Sequence, residues 1–325
     1  MKDDEYNPGQ ALIAAKSLVQ SHVAAIIANS DELPAWLSVA SQAGVPVVGA
    51  QDFTQGYTSA DVFPPGGTSN YAIVASALMA KNAGITKVAS LYCVEVAACQ
   101  EGSATQASVS AKHGVKYVYR AGISFSAPNY TAECLAAKQA GATGMWVGDA
   151  SAIVASVAKS CATQGYTPTQ FSGDGIVAIG WLKIPAFNGT IAYQPNLPWF
   201  VKNKATAAMY AALDKYAPDV PAGPNFGEEV VQNWAAGVLV QEAVRAASPS
   251  AGTAVTPAVV KKGLYSLPAG ENLGGLAAQT ISFKKGQLAN FNCFYIMGIK
   301  NGKFVQKQGG KPLCVPLMKP GWSPS

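Results

Sequence analysis

Short runs of β-branched and apolar residues alternate with helical segments along most of this chain, and that alternation constrains the fold more than any single motif. Strand–helix repetition of this kind builds parallel sheets flanked by helices, an α/β fold. Pro8 and Gly9 open a helix to about Gln20, with Leu12, Ala15 and Val19 on one face. Residues 23–28 are apolar throughout, as a strand covered on both faces must be. Asn29, with Glu32 three positions on, reads as a capping box for the next helix. Gly44 ends that helix before a strand at 45–49. Further helices are expected at 69–82, up to about His113, and at 130–139, 151–164, 205–216 and 226–247. Strands are expected between them at 87–92, 115–119, 144–147, 169–172 and 190–193. On the long helix, Trp234 shares a stripe with Val231, Ala235 and Val238 and reads as core.

The pattern then changes. Residues 280–283, 294–300 and 303–306 read as antiparallel strands, the last two joined by an Asn301-Gly302 turn. An antiparallel piece after regular βα units implies that the chain returns to a lobe it built earlier. At 325 residues it has the length of two ordinary domains. Hydrophobic residues make up 49% and charged residues 13%, a balance that excludes intrinsic disorder. No apolar run reaches the roughly 18 residues of a membrane-spanning helix.

The net charge of +5 does not make a nucleic-acid surface, because the basic residues are scattered and only Arg120 and Arg245 are arginine. His22 and His113 are the whole histidine complement, which disfavours most metal sites and Ser-His-Asp chemistry. Gly173-Asp174-Gly175 is followed by glycine only at Gly180, so the dinucleotide fingerprint fails. Phosphate-loop, nucleophile-elbow and zinc-protease motifs are missing from the sequence as well. No catalytic constellation emerges and no cofactor is expected. The six cysteines include no C-x-x-C pair. Of the pairings open to them, the sequential one is favoured: Cys93 with Cys99, Cys134 with Cys161, and Cys293 with Cys314. Six buried free thiols are the alternative. The low charge content favours an oxidising compartment outside the cytoplasm. Met1-Lys2-Asp3-Asp4 runs straight into polar sequence, so an exported protein would have its leader outside this sequence.

Polar or small residues follow several expected strands, where open parallel sheets bind ligands. They are Asn29-Ser30-Asp31, Ala50-Gln51-Asp52, Asp149-Ala150 and Asp174. A helix start near Ser30 suits a carboxylate. An acid such as Asp174 suits an ammonium group. Together they describe a clamp for a zwitterion.

The run Asp3-Asp4-Glu5-Tyr6-Asn7-Pro8-Gly9-Gln10-Ala11, with Ser17-Leu18-Val19 and residues 23–27 after it, resembles the branched-chain amino acid type (leucine/isoleucine/valine-binding-like) of periplasmic solute-binding protein. Further matches are Ala43-Gly44-Val45-Pro46-Val47, Asn129-Tyr130-Thr131, Phe171-Ser172-Gly173-Asp174-Gly175 and Asn301-Gly302-Lys303-Phe304. The resemblance implies a two-lobe, type I periplasmic binding protein fold with a hinge of three crossover strands. It places one lobe at residues 1–64 and 196–277, and the other at 65–195 and 278–325. It implies the periplasmic or extracytoplasmic receptor of an ABC importer, free or lipid-anchored, that captures a small carboxylate-bearing solute, acts as a monomer and hands it to a permease. A ligand-sensing regulator of the same fold is the alternative, and an enzyme would rest on fold analogy alone.

The resemblance puts the solute's carboxylate at Ser30 and at Ala50, Gln51 and Asp52, and its amino group at Asp174. The family's aromatic wall falls on Cys99 and Ala150, neither aromatic, leaving Phe226, Phe53 or Trp181 as the apolar wall. Family members also place a strand, a helix and another strand ahead of the Asp-Asp stretch. Their lack implies a weakened first lobe of marginal solubility.

Overall fold

The computed structural model describes residues 1–49, 59–173 and 175–316. Two parallel sheets organise it. Helix α1 (Pro8–Gln20) begins where Asn7 accepts the Gly9 and Gln10 amides. It leads to β1 (Ile26–Ala28), α2 (Leu33–Gln42), β2 (Val47–Gly49) and β3 (Val62–Phe63). These strands form a parallel sheet in the order β1-β2-β3. Leu33, Trp36, Val45 and Val47 fill the core beneath it.

The second sheet begins after α3 (Ser69–Asn82). Its parallel strands are β4 (Lys87–Cys93), β5 (Lys116–Ile123), β6 (Gly144–Gly148), β7 (Thr169–Ser172) and β8 (Ile191–Gln194). Helices α4 (Ala97–Lys112), α5 (Thr131–Gln139) and α6 (Ser151–Thr163) connect them. The chain then crosses back to α7 (Lys204–Tyr216), α8 (Glu228–Ala247) and α9 (Pro257–Leu264). Helix α8 packs on β1 and β2. Finally β9 (Cys293–Lys300) pairs antiparallel with β8, and β10 (Lys303–Gln306) and β11 (Leu313–Cys314) share its other edge. The part on the three-stranded sheet, with α7 to α9, is called the first lobe below, and the part on the eight-stranded sheet the second.

The differences from the sequence reading have local causes. Helix α2 starts at Leu33, and its N-cap is Glu32 without a side-chain hydrogen bond, so Asn29 does not cap it. Pro34 explains this: proline lacks an amide hydrogen and fits only the first helical turn. Residues 280–283 form no strand. Gln279 accepts the Asn292 and Cys293 amides with its side chain instead, and Ile281 donates to the Glu271 carbonyl. Their apolar pattern reflects burial of a crossing segment, with Ile281 wholly covered. Trp234 is half-buried against the main core. The cysteines pair sequentially: Cys93–Cys99 joins β4 to α4, Cys134–Cys161 joins α5 to α6, and Cys293–Cys314 joins β9 to β11.

Three chain crossings link the two parts. Thr68 donates to the Phe291 carbonyl, Leu197 to Leu276, and the Asn196 amide group to Pro65. A fourth contact, away from the crossings, also joins the lobes. The loop between β7 and β8 lies antiparallel to the chain entering α8, with Ala178 opposite Gly227. Ile179 donates to Phe226 at 2.8 Å, Gly180 to Pro224 at 2.9 Å, and Glu228 to Val177 at 3.2 Å. Trp181, on the same loop, is anchored in the second lobe by stacking on Phe187 and by donating to the Ser151 carbonyl. Only glycine fits opposite Ala178, because a Cβ on Gly227 would lie 2.2 Å from the Val177 carbonyl oxygen.

Gly227→Ala should therefore strain this clasp, lowering stability by about 1–3 kcal/mol and enlarging the radius of gyration. Gly237→Ala, in the same helix but with nothing near its Cβ, should raise stability by roughly 0.5–1 kcal/mol. Thermal melts and small-angle scattering of the two variants check both.

Candidate functional site

The strand ends that reach the inter-lobe region carry acids. After β1, the Ser30 hydroxyl donates to Asp4 Oδ2 and accepts the Glu32 amide at 3.2 Å. Asp4 also accepts the Tyr6 amide at 3.1 Å. That contact helps hold Tyr6 at φ +53, a left-handed conformation that bulky residues rarely take. The residue as a whole is 57% exposed. Asp31, beside Ser30, has a wholly covered Oδ1 that takes no hydrogen bond. Burial, and then repulsion from Glu229, Asp4, Glu32 and Asp149, push its carboxyl up to about 7. Glu32 is raised by burial and by Asp4.

Across the gap, Asp149 follows β6. Its Oδ1 accepts the Ala150 amide at 2.7 Å, while Oδ2 is covered and takes no hydrogen bond. Burial raises it to about 6, with the Ala150 amide pulling down and Glu95 pushing up. Glu95 behaves oppositely. Burial pulls it upward, but hydrogen bonds from Ser124, Phe125 and Val94 outweigh that and leave it lowered. The two lobes meet electrostatically here: Asp149 of the second raises both Asp31 and Tyr6 of the first. The Tyr6 phenol is pushed up to about 12 by partial burial and by Asp31, Glu229, Asp149 and Asp4.

Of the residues singled out from sequence, Ser30 lies beside this cluster with its hydroxyl turned to Asp4. Ala150 is exposed at the start of α6, where it offers no side-chain cap. Cys99 is tied to Cys93 by a disulfide, so it meets the region as part of a rigid loop. Phe226 is 6% exposed and packs near Tyr210, and Trp181 is 1% exposed, so both serve the core. Ala50, Gln51, Asp52, Phe53 and Asp174 lie outside the described residues.

The sequence reading did not place Tyr6, Asp4 or Glu229 at the site, and it named Asp31 and Asp149 among the polar strand-end residues without giving either a solute contact. Asp31 and Asp149 are each one residue from a selected position. Glu229 is hidden because an acid in the first turn of a helix normally serves the helix dipole. A separate small cavity of about 10 Å³ lies among the crossings, lined by Asn29, Gly66, Pro195, Asn196, Gln232 and Asn233. It has room for about one water, not for a solute. Among the described residues no group of three or more His, Cys, Asp or Glu side chains is arranged to hold a metal ion, and no helix is long and apolar enough to cross a membrane.

Raised carboxyl pKa values have a signed consequence. Asp31 and Asp149 bind protons in the folded state up to about 7 and 6, whereas unfolded they release them near 3.8. Across that window the folded state holds more protons, so these groups make stability fall as pH rises. The solute-free melting temperature should therefore drop between about pH 5 and pH 8. Asp31→Asn should flatten that slope and raise the melting temperature at the upper end. An unchanged slope would contradict the assignment.

The profile of the periplasmic binding protein family matches residues 1–303. Among curated proteins none is similar enough to count as a relative. Among solved structures, an ABC transporter substrate-binding protein from Aeropyrum pernix superposes with a TM-score of 0.81 at 15% identity, covering 97% of this chain and 83% of that one. A branched-chain amino acid ABC transporter protein from Thermus thermophilus with bound valine gives 0.78 at 17%, covering 96% and 84%. A solute-binding protein from Rhodopseudomonas palustris in complex with 4-hydroxybenzoate gives 0.71 at 15%, covering 96% and 82%. The fold is the type I periplasmic binding protein fold. Its members are receptors rather than enzymes. This chain belongs to the periplasmic binding protein family.

Proposed function

We propose that the protein is the extracytoplasmic receptor of an ABC importer, which captures a small carboxylate-bearing solute, an amino acid or related compound, between its lobes and presents the closed form to a membrane permease. The observation that carries this is the placement of the β1 and β6 ends, which bring polar groups from two separately built lobes into electrostatic contact. Three disulfides and no free cysteine support an oxidising compartment.

The lobe division we propose is 1–64 with 196–277, and 65–195 with 278–325. On the first lobe, Ser30, Ala50, Gln51 and Asp52 are the solute contacts in this reading. On the second they are Asp174 and the Asp149–Ala150 end of β6. Cys99 shapes the second-lobe wall through its disulfide, and Phe226 acts through the clasp that its carbonyl forms.

Ligand energy has to exceed the cost of ordering the lobes, so the solute must bind the closed form better than the open one. In a thermal-shift screen of amino acids, amines, aromatic acids and amides, at least one compound should raise the melting temperature. The same compound should shrink the radius of gyration. Silence of the whole panel, or stabilisation without compaction, would contradict capture by closure.

A further inference from the structure

The Asp31–Asp149 region is more acidic than a zwitterion needs. Asp31, Glu32 and Asp4 come from one strand end and its neighbouring loop, Glu229 from the start of α8, and Asp149 from the opposite lobe. All of them press on Asp31, and every electrostatic contribution acting on it is repulsive. The ion pairs among the described residues are Arg245–Glu242 and Lys261–Asp61, and neither involves Asp31 or Asp149.

Two carboxyl oxygens, Asp31 Oδ1 and Asp149 Oδ2, are covered by protein and take no hydrogen bond. A covered carboxylate oxygen without a donor is costly, and one supplied with an N–H donor or a positive charge is not. The acids come from elements on both lobes and are not arranged as a metal-binding group among the described residues. Beside them the exposed residue Tyr6 offers the π face of its ring, which attracts organic cations.

We infer that the solute is an organic cation, an amine or guanidinium whose positive end sits between Asp31 of the first lobe and Asp149 of the second, against the Tyr6 ring. This rests on the receptor reading above and moves its ligand class from amino acids to cations that need no carboxylate. The cation supplies positive charge to both carboxylates and an N–H donor to the one oxygen of each that lacks it, and it offsets the repulsion that Asp149 exerts on Asp31. Closure and recognition then become one event. Burial first, and then Glu229, Asp4 and Glu32 around Asp31 and Glu95 near Asp149, bring the two carboxyls toward neutrality beside Tyr6, so binding strengthens as pH rises.

The test is calorimetric titration of the whole protein with putrescine, agmatine, choline, leucine and 4-hydroxybenzoate at about pH 8 and about pH 5. The expected result is binding of at least one of the three cations at the higher pH. That affinity should weaken by about tenfold or more at the lower pH, in Asp31→Asn and in Asp149→Asn, with both variants melting no lower than the parent. A cation that binds parent and variants alike overturns the assignment. Binding of leucine or 4-hydroxybenzoate, with all three cations silent, overturns the cation inference but leaves the receptor reading standing. Silence of all five probes overturns both.

Discussion

Everything in this molecule depends on three chain crossings that must lie side by side. Pro65-Gly66-Gly67, Pro195-Asn196 and the segment around Ala277 and Phe291 are held by hydrogen bonds between neighbours rather than by a long sheet. Their closeness dictates local sequence. A Cβ on Gly67 would lie 2.1 Å from the Phe294 ring, and one on Gly66 would lie 2.8 Å from Pro195. Small residues here let the crossings pack, and the packing sets the axis about which the lobes can turn. Each lobe carries its own buried cluster, while the largest cluster runs through both, from Phe63 to Ala89 and Leu91.

Two opposed interactions act across the gap. The clasp between Ala178 and Gly227 adds three backbone hydrogen bonds, worth roughly 0.5–1.5 kcal/mol each in water. Repulsion between Asp31 and Asp149 works against closure and grows as they ionise. A solute bound with micromolar affinity contributes about 8 kcal/mol, enough to outweigh either. The balance suits a receptor that must close on its ligand and also release it. Asp31 and Asp149 follow β1 and β6, while the clasp joins the loop after β7 to the start of α8, where Glu229 links the two features.

Much of the fold was legible in the sequence because burial leaves a periodic trace. Helix α3 and strands β7 and β10 fall where the pattern puts them, and the Asn301-Gly302 turn joins β9 to β10. What misled was chemistry with two uses. Asn29 and Glu32 make a capping-box pattern, yet Pro34 moves the helix start past Asn29. Residues 280–283 alternate like a strand because a crossing segment is also buried on one side. The short strand β3 leaves too few residues for a period to show.

The site was less legible than the fold. Ser30 and Ala150, chosen because they follow strands, adjoin Asp31 and Asp149. Which neighbour mattered could not be read, because an aspartate in a strand-end loop is usually a turn former. Only the proximity of Asp149 to Asp31 and Tyr6, created by folding two lobes together, separates the two roles. Phe226 shows the converse: an aromatic suited to a solute wall is drawn into the core by its carbonyl's bond to Ile179.

The most direct test of capture between lobes is hydrogen exchange at the two strand ends, with and without a solute that stabilises the protein. Amides around Glu32 in the first lobe and around Ala150 in the second should slow together on binding. Slowing confined to one lobe would show that the solute binds a single surface, and the account of closure across the acidic gap would be wrong.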